Sequence, residues 1–224
     1  MIIDLSHPMT QDMPVFPGTE QPELRVTATV EKNGFYEKKL TFYSHTGTHM
    51  DAPAHMIRDG KTLDRIDINH FHGSALVLDF RDAGNEPDAL IRTAALTPFE
   101  DRISGCDYLL LHTGWYRFWG TPEYFDHFPV LTPGAAQWLT RFDLKGIGLD
   151  TISADKMDSR DYPVHHTLLG NDMVIVENLT NLDKLPADRL LFSCFPIPLA
   201  QADGSPVRAV AQVDTRRKKE SQNP

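Results

Sequence analysis

At 224 residues the chain is long enough to bury a sizeable core and lies at the upper end of what one domain commonly holds. Its formal net charge of −9, with no basic stripe in the body of the sequence, argues against nucleic acid as a partner, because phosphate binding needs clustered Lys and Arg. No stretch approaches the roughly 18 apolar residues of a membrane span. The start, MIIDLSHPMT, has neither a positive n-region nor an apolar h-region, so a cytoplasmic protein without membrane contact is expected.

Taken in chain order, β-branched and aromatic content marks strands at 24–30 and 39–44, followed by the histidine-rich segment at 45–55. Further strands are expected at 75–80, 108–112, 146–149, 173–177 and 190–195. A short helix is expected near Thr97 and Pro98. The clearest helical pattern covers 132–142, where Thr132 can cap, Pro133 suits the first helical position, and Ala136, Leu139 and Phe142 share a face. The helix leads into the apolar strand KGIGLD, which reads as the helix-to-strand step of an α/β unit. The expectation is a sheet-rich α/β or α+β domain with few helices, mostly strand in its first half, over 1–215. A polar tail at 216–224 carries the basic run from Arg216 to Lys219. Cys106 and Cys194 lie in apolar runs and are expected to be small buried hydrophobes.

The segment HTGTHMDAPAH, 45–55, places His45, His49, Asp51 and His55 within eleven residues. A helix would rotate Asp51 away from the histidines, whereas in a strand residues 45, 47, 49 and 51 project to one side. The strand reading therefore makes one convergent set, with Gly47 leaving room for close approach and Pro53 ending the run. Past Pro53 the chain turns, so His55 approaches from another direction. Two imidazoles and a carboxylate suit zinc, manganese or iron rather than calcium, which prefers oxygen shells. A second constellation, YPVHHTLLGNDMVIVENLTNL, holds adjacent His165 and His166 and ends an apolar run on Glu177. Adjacent histidines point in different directions, so one of the two is expected to join a site. Asp150, closing LKGIGLD, occupies a similar position with weaker support. If His165 and Glu177 meet the first cluster, three imidazoles and two carboxylates can hold two metals bridged by Asp51, which is hydrolytic machinery.

HTGTHMDAPAH resembles the HxGTHxDxPxH signature of the cyclase family, which includes bacterial kynurenine formamidase and isatin hydrolase. The likeness continues through DLSHPMTQDMPVFPG near the start, LLHTGW, IGLDTIS, HHTLLGNDMVIVENLTNL and DGSPVRAVA. The resemblance implies a swivelling β/β/α fold with one or two divalent metals, zinc or manganese, in a homodimer or homotetramer. His45, His49 and Asp51 are similar to the family's first metal ligands. His165, which fits the HxxLL pattern where His166 does not, joins Glu177 at the second, and His55 matches the proton-transferring histidine. Two positions depart from the family pattern near the expected substrate pocket: Thr19 follows Phe16, Pro17 and Gly18 where Asp is usual, and His112 stands where a basic residue often precedes Thr-Gly-Trp.

The implied activity is hydrolysis of a small-molecule amide, an N-formyl arylamine such as N-formylkynurenine or a cyclic amide. Phe16 is the expected substrate-binding residue, with Phe35 or Trp115 as further aromatic wall, and core packing is the alternative for all three. A metal-assisted lyase or cyclase using the same ligands, and a metal- or ligand-binding module without chemistry, are the alternatives. The lyase would incorporate no water into product, and the module would bind ligands without turnover.

Overall fold

The computed structural model describes residues 1–86, 88–186 and 189–213; the tail at 216–224 and its basic run lie outside them. Twelve strands are described: β1 (Ile2–Asp4), β2 (Glu23–Ala28), β3 (Glu37–Thr41), β4 (His49–Asp51), β5 (His72–Asp79), β6 (Leu90–Ile91), β7 (Tyr108–His112), β8 (Val130–Leu131), β9 (Gly146–Leu149), β10 (Val174–Glu177), β11 (Leu190–Pro196) and β12 (Gly204–Gln212). The helices are short: α1 (Val30–Asn33), α2 (Thr93–Leu96), α3 (Glu100–Ile103), α4 (Pro133–Leu139) and α5 (Pro163–Leu169), with single 3-10 turns between.

Eight strands form one mixed sheet in the order β1-β12-β11-β5-β7-β9-β10-β4, and β4 also pairs with β12, which closes the sheet on itself. The run β5-β7-β9-β10 is parallel. Parallel neighbours need a crossover, and the segments carrying α2 and α3, then α4, then α5 supply the three. The remaining pairings in this sheet are antiparallel.

The parallel strands read as continuous apolar runs because both faces are covered. Along β5 and β7, Ala75, Val77, Tyr108 and Leu110 point into the closed sheet, where they pack with Met50, Val176 and Phe192. Their neighbours Leu76, Leu78, Leu109 and Leu111 point outward onto Leu96, Leu139 and Leu168 of the helices. A third cluster, Trp115, Tyr124, Phe128, Val130 and Ile152, lies under the turn after β7. Cys106 and Cys194 are buried and unpaired, as expected.

The seven expected strands are present within a few residues, and the α/β class is borne out. Thr132 caps α4 by accepting from the Ala135 N–H, as its position before Pro133 suggested. The helix expected at Thr97 begins earlier, at Thr93, and the first half holds the parallel pair β5–β7 together with helices, so it is less purely strand than expected. The β2–β3 hairpin stands apart from the main sheet, with Val26 and Leu40 exposed. Among the described residues no helix is long and apolar enough to cross a membrane.

Candidate metal centre

The strand expected to run from 45 to 51 is only partly formed, since β4 covers His49–Asp51 alone. Gly47 takes φ 66°, the left-handed region, so the chain kinks there instead of running straight. His49 and Asp51, two residues apart on β4, still share a face as strand geometry requires. His45 reaches them around the kink rather than along a strand. Its ring lies over Gly204, where a Cβ would overlap the imidazole, so this close approach depends on glycine.

Neighbouring strands complete the set. In the β4–β10 pairing His49 stands opposite Glu177, and in the β4–β12 pairing Asp51 stands opposite Gly204. Helix α5 delivers His165 from the crossover that leads into β10. His166, the next residue, is exposed and takes no part.

The ligand atoms of His45, His49 and Asp51 lie within 4.8 Å of one another, as do those of Asp51, His165 and Glu177. Asp51 is common to both groups and uses one oxygen for each. Its Oδ1 faces His45 Nδ1 at 2.6 Å and His49 Nε2 at 3.3 Å, while Oδ2 faces His165 Nε2 at 3.7 Å. Glu177 likewise spans the groups, with Oε2 at 3.5 Å from His49 Nε2 and Oε1 at 3.2 Å from His165 Nε2. The main-chain N–H of Ala154 donates to Oε1 at 2.9 Å.

The far nitrogen of each of these histidines is tied down. His165 Nδ1 meets Asp155 Oδ2 at 2.7 Å, His49 Nδ1 meets the Gly47 carbonyl at 2.9 Å, and His45 Nε2 meets Asp203 Oδ2 at 3.1 Å. An imidazole whose outer N–H is held by a carboxylate or carbonyl presents a fixed lone pair inward, the arrangement metal-ligating histidines show. Burial alone would push His165 down, but its bonds to Asp155 and Glu177 outweigh that and hold it up at about 10. His45 is held at about 9 against burial by Asp51 and Asp203. Burial would raise Asp51, yet His45 and His49 keep it well below the usual carboxylate range. The buried Asp51 carboxylate is thus balanced by protons on the imidazoles beside it, and a bound divalent cation would replace those protons. The donor set, three imidazoles and two carboxylates with one carboxylate shared, fits such an ion.

His55 ends the 3-10 turn Pro53–His55 and approaches from the side, as expected past Pro53. Its ring packs against His45 at 3.9 Å between centroids, tilted by 36°, and Nδ1 lies 3.7 Å from Asp203 Oδ2. Burial pushes His55 below the usual imidazole value. It is therefore a neutral base at pH 7 beside the cluster.

The cluster floors a cavity of about 430 Å³ whose walls include Phe16, Thr19, Tyr43, Met56, Ile152 and Tyr162. Phe16 lines this cavity. Phe35 and Trp115 do not: Phe35 is exposed in the hairpin turn, and Trp115 is buried in the third core cluster, its indole N–H donating to the Tyr124 carbonyl. His112 is buried at the end of β7 with no partner for Nε2 and does not line this cavity, so its departure from the family pattern falls outside the pocket, whereas Thr19 falls within it. Asp150 is structural. Its carboxylate accepts from the Thr113 N–H and hydroxyl and the Gly114 N–H, fixing the turn after β7. A second cavity of about 470 Å³, by Trp115 and Arg117, shares none of the cluster's residues.

Sequence reasoning missed Asp155 and Asp203. Asp203 stood in the quoted stretch DGSPVRAVA, but only the fold brings it to His45. Since Asp155 holds His165 through a buried 2.7 Å bond, Asp155→Asn is expected to weaken metal binding about 10- to 100-fold, as loss of such partners typically does. Isothermal titration of metal into stripped protein checks this, and unchanged affinity would remove Asp155 from the account.

Residues 3–156 match the family described as "Putative cyclase". The chain belongs to the cyclase family. A kynurenine formamidase of Bacillus cytotoxicus is 32% identical over 210 residues, covering 93% of this chain and 95% of that one. Isatin hydrolase A from Ralstonia solanacearum superposes with a TM-score of 0.86 at 26% identity, covering 96% of this chain and 92% of that one. A potential metal-dependent hydrolase with cyclase activity gives 0.77 at 25% identity, over 94% and 96% of the two chains. An isatin hydrolase bound to the product analogue thioisatinate reaches 0.87 at 24% identity and shares the cyclase-family fold, covering 96% of this chain and 92% of its own.

Proposed function

We propose that this cyclase-family chain is a metal-dependent hydrolase that opens a non-peptide amide C–N bond, in an N-formyl arylamine such as N-formylkynurenine or in a cyclic amide such as isatin. The observation that carries the reading is the pair of ligand groups sharing Asp51 on the floor of a cavity, with His55 beside them and outside the shared set. His45, His49 and Asp51 would hold one zinc or manganese ion, and Asp51, His165 and Glu177 a second. Ions so held polarise a substrate carbonyl and acidify water toward a pKa of about 7.

The chain's own residues then have distinct tasks. His55, neutral at pH 7, takes a proton from the attacking water as its oxygen bonds to the carbonyl carbon. The same imidazole returns the proton to the departing nitrogen as the C–N bond breaks, giving a carboxylic acid or formate and a free amine. Phe16, Tyr43 and Tyr162 offer an apolar wall for the aryl group. Kynurenine formamidase relatives covering 93% of this chain support the N-formyl substrate, and the isatin hydrolase structures support the cyclic one.

Turnover in ¹⁸O-labelled water tests the reaction class. Label in the new carboxylate or formate is expected; product without label would point to a metal-assisted lyase or cyclase, and binding of amides, lactams and esters without turnover would point to a non-catalytic module.

A further inference from the structure

Asp203 sits between His45, a member of the first ligand group, and His55. Its carbonyl accepts from the Ala52 N–H at 2.8 Å, directly before the 3-10 turn that carries His55. The next residue, Gly204, pairs with Asp51 and lies beneath the His45 ring. The Asp203 backbone is thereby pinned between both histidines, while its side chain is half-exposed at the cavity rim. One oxygen, Oδ2, faces His45 Nε2 at 3.1 Å and His55 Nδ1 at 3.7 Å, with the two rings tilted at 36° and 3.9 Å apart.

Two roles fit a carboxylate beside two imidazoles. His45, His55 and Asp203 also lie close enough to hold a cation. However, His45 Nδ1 is already committed to Asp51 at 2.6 Å, and a neutral imidazole has one lone pair, so His45 cannot serve an ion on each side. The remaining role is to accept hydrogen bonds. A neutral His55 must carry its proton on one nitrogen, and a carboxylate facing Nδ1 favours the proton there, leaving the Nε2 lone pair free.

We propose that Asp203 is the positioning residue of the site's acid/base: it holds His55 as the Nδ1-protonated tautomer with Nε2 free to take a proton. This rests on the hydrolase reading for its kinetic consequence and not for its structural one. At 3.7 Å the contact is an ion-pair distance, longer than a hydrogen bond, as catalytic hydrogen bonds often are before substrate binds.

The test is a double-mutant cycle on the zinc-loaded protein, with kcat, KM and metal content measured for the wild type, Asp203→Asn, His55→Ala and the double variant. Asp203→Asn, assayed at saturating zinc because loss of its bond to His45 also weakens metal binding, is expected to lower kcat about 10- to 100-fold, the range typical of a lost supporting partner, with KM and bound zinc at saturation nearly unchanged. In the His55→Ala background it should cost nothing further, and Asp203→Glu should recover part of kcat. Equal losses in both backgrounds, or loss of metal in step with loss of turnover, would overturn the proposal and make Asp203 a support for His45 alone. Nitrogen-15 NMR of the His55 imidazole reads the tautomer without any substrate. Mainly Nδ1–H in wild type and a mixture in Asp203→Asn supports the proposal, and mainly Nε2–H in wild type overturns it. A wild type that hydrolyses no amide would instead count against the hydrolase reading, and the tautomer measurement would still decide the role of Asp203.

Discussion

Asp51→Ala is expected to strip the protein of metal and of hydrolysis together. Asp51 is 1% exposed and is the one residue shared by both ligand groups, with Oδ1 serving His45 and His49 and Oδ2 serving His165. Removing it takes one ligand from each group and leaves Glu177 as the one carboxylate among their remaining members. The loss in kcat/KM should exceed about 100-fold, the upper end of what losing a merely supporting residue costs. Elemental analysis and an amide hydrolysis assay check the two losses, and the thermal melt confirms folding. Metal content unchanged from wild type would show that Asp51 does not bridge the groups.

His55→Ala should separate the two properties. His55 lies outside the groups that share Asp51, and its side chain is 27% exposed, so truncation leaves a gap at the cavity wall rather than a hole in the core. Metal content should stay at the wild-type level while kcat falls by about 10²- to 10⁴-fold, the range for loss of a positioned acid/base. The same assay pair reads this variant, and loss of metal alongside turnover would reassign His55 as a ligand.

What the sequence made legible follows from how far apart the interacting residues lie. His45, His49, Asp51 and His55 are packed within eleven residues, so their convergence could be argued from local geometry. Even there the reason was partly different, because the left-handed kink at Gly47, and not a continuous strand, turns His45 toward the others. Choosing His165 over His166 rested on the family pattern, since α5 is a seven-residue helix beginning at Pro163 with no side-chain cap to announce it. Strand β12 went unread although it is nine residues long. Its sequence GSPVRAVAQ opens with Gly, Ser and Pro, which strand propensity disfavours, and tertiary pairing with β1, β4 and β11 overrides that preference. Asp203 meets His45 across 158 positions of sequence and Asp155 meets His165 across 10, so neither contact leaves a periodic trace. The parallel strands were the easy part, because burial on both faces writes an unbroken apolar run.

The measurement that tests the central claim most directly is metal content per chain on protein purified without chelator, followed by amide hydrolysis before and after stripping the metal. Stoichiometric zinc or manganese is expected, with turnover abolished by chelation and restored when the ion is returned. Full turnover in metal-free protein would contradict the account.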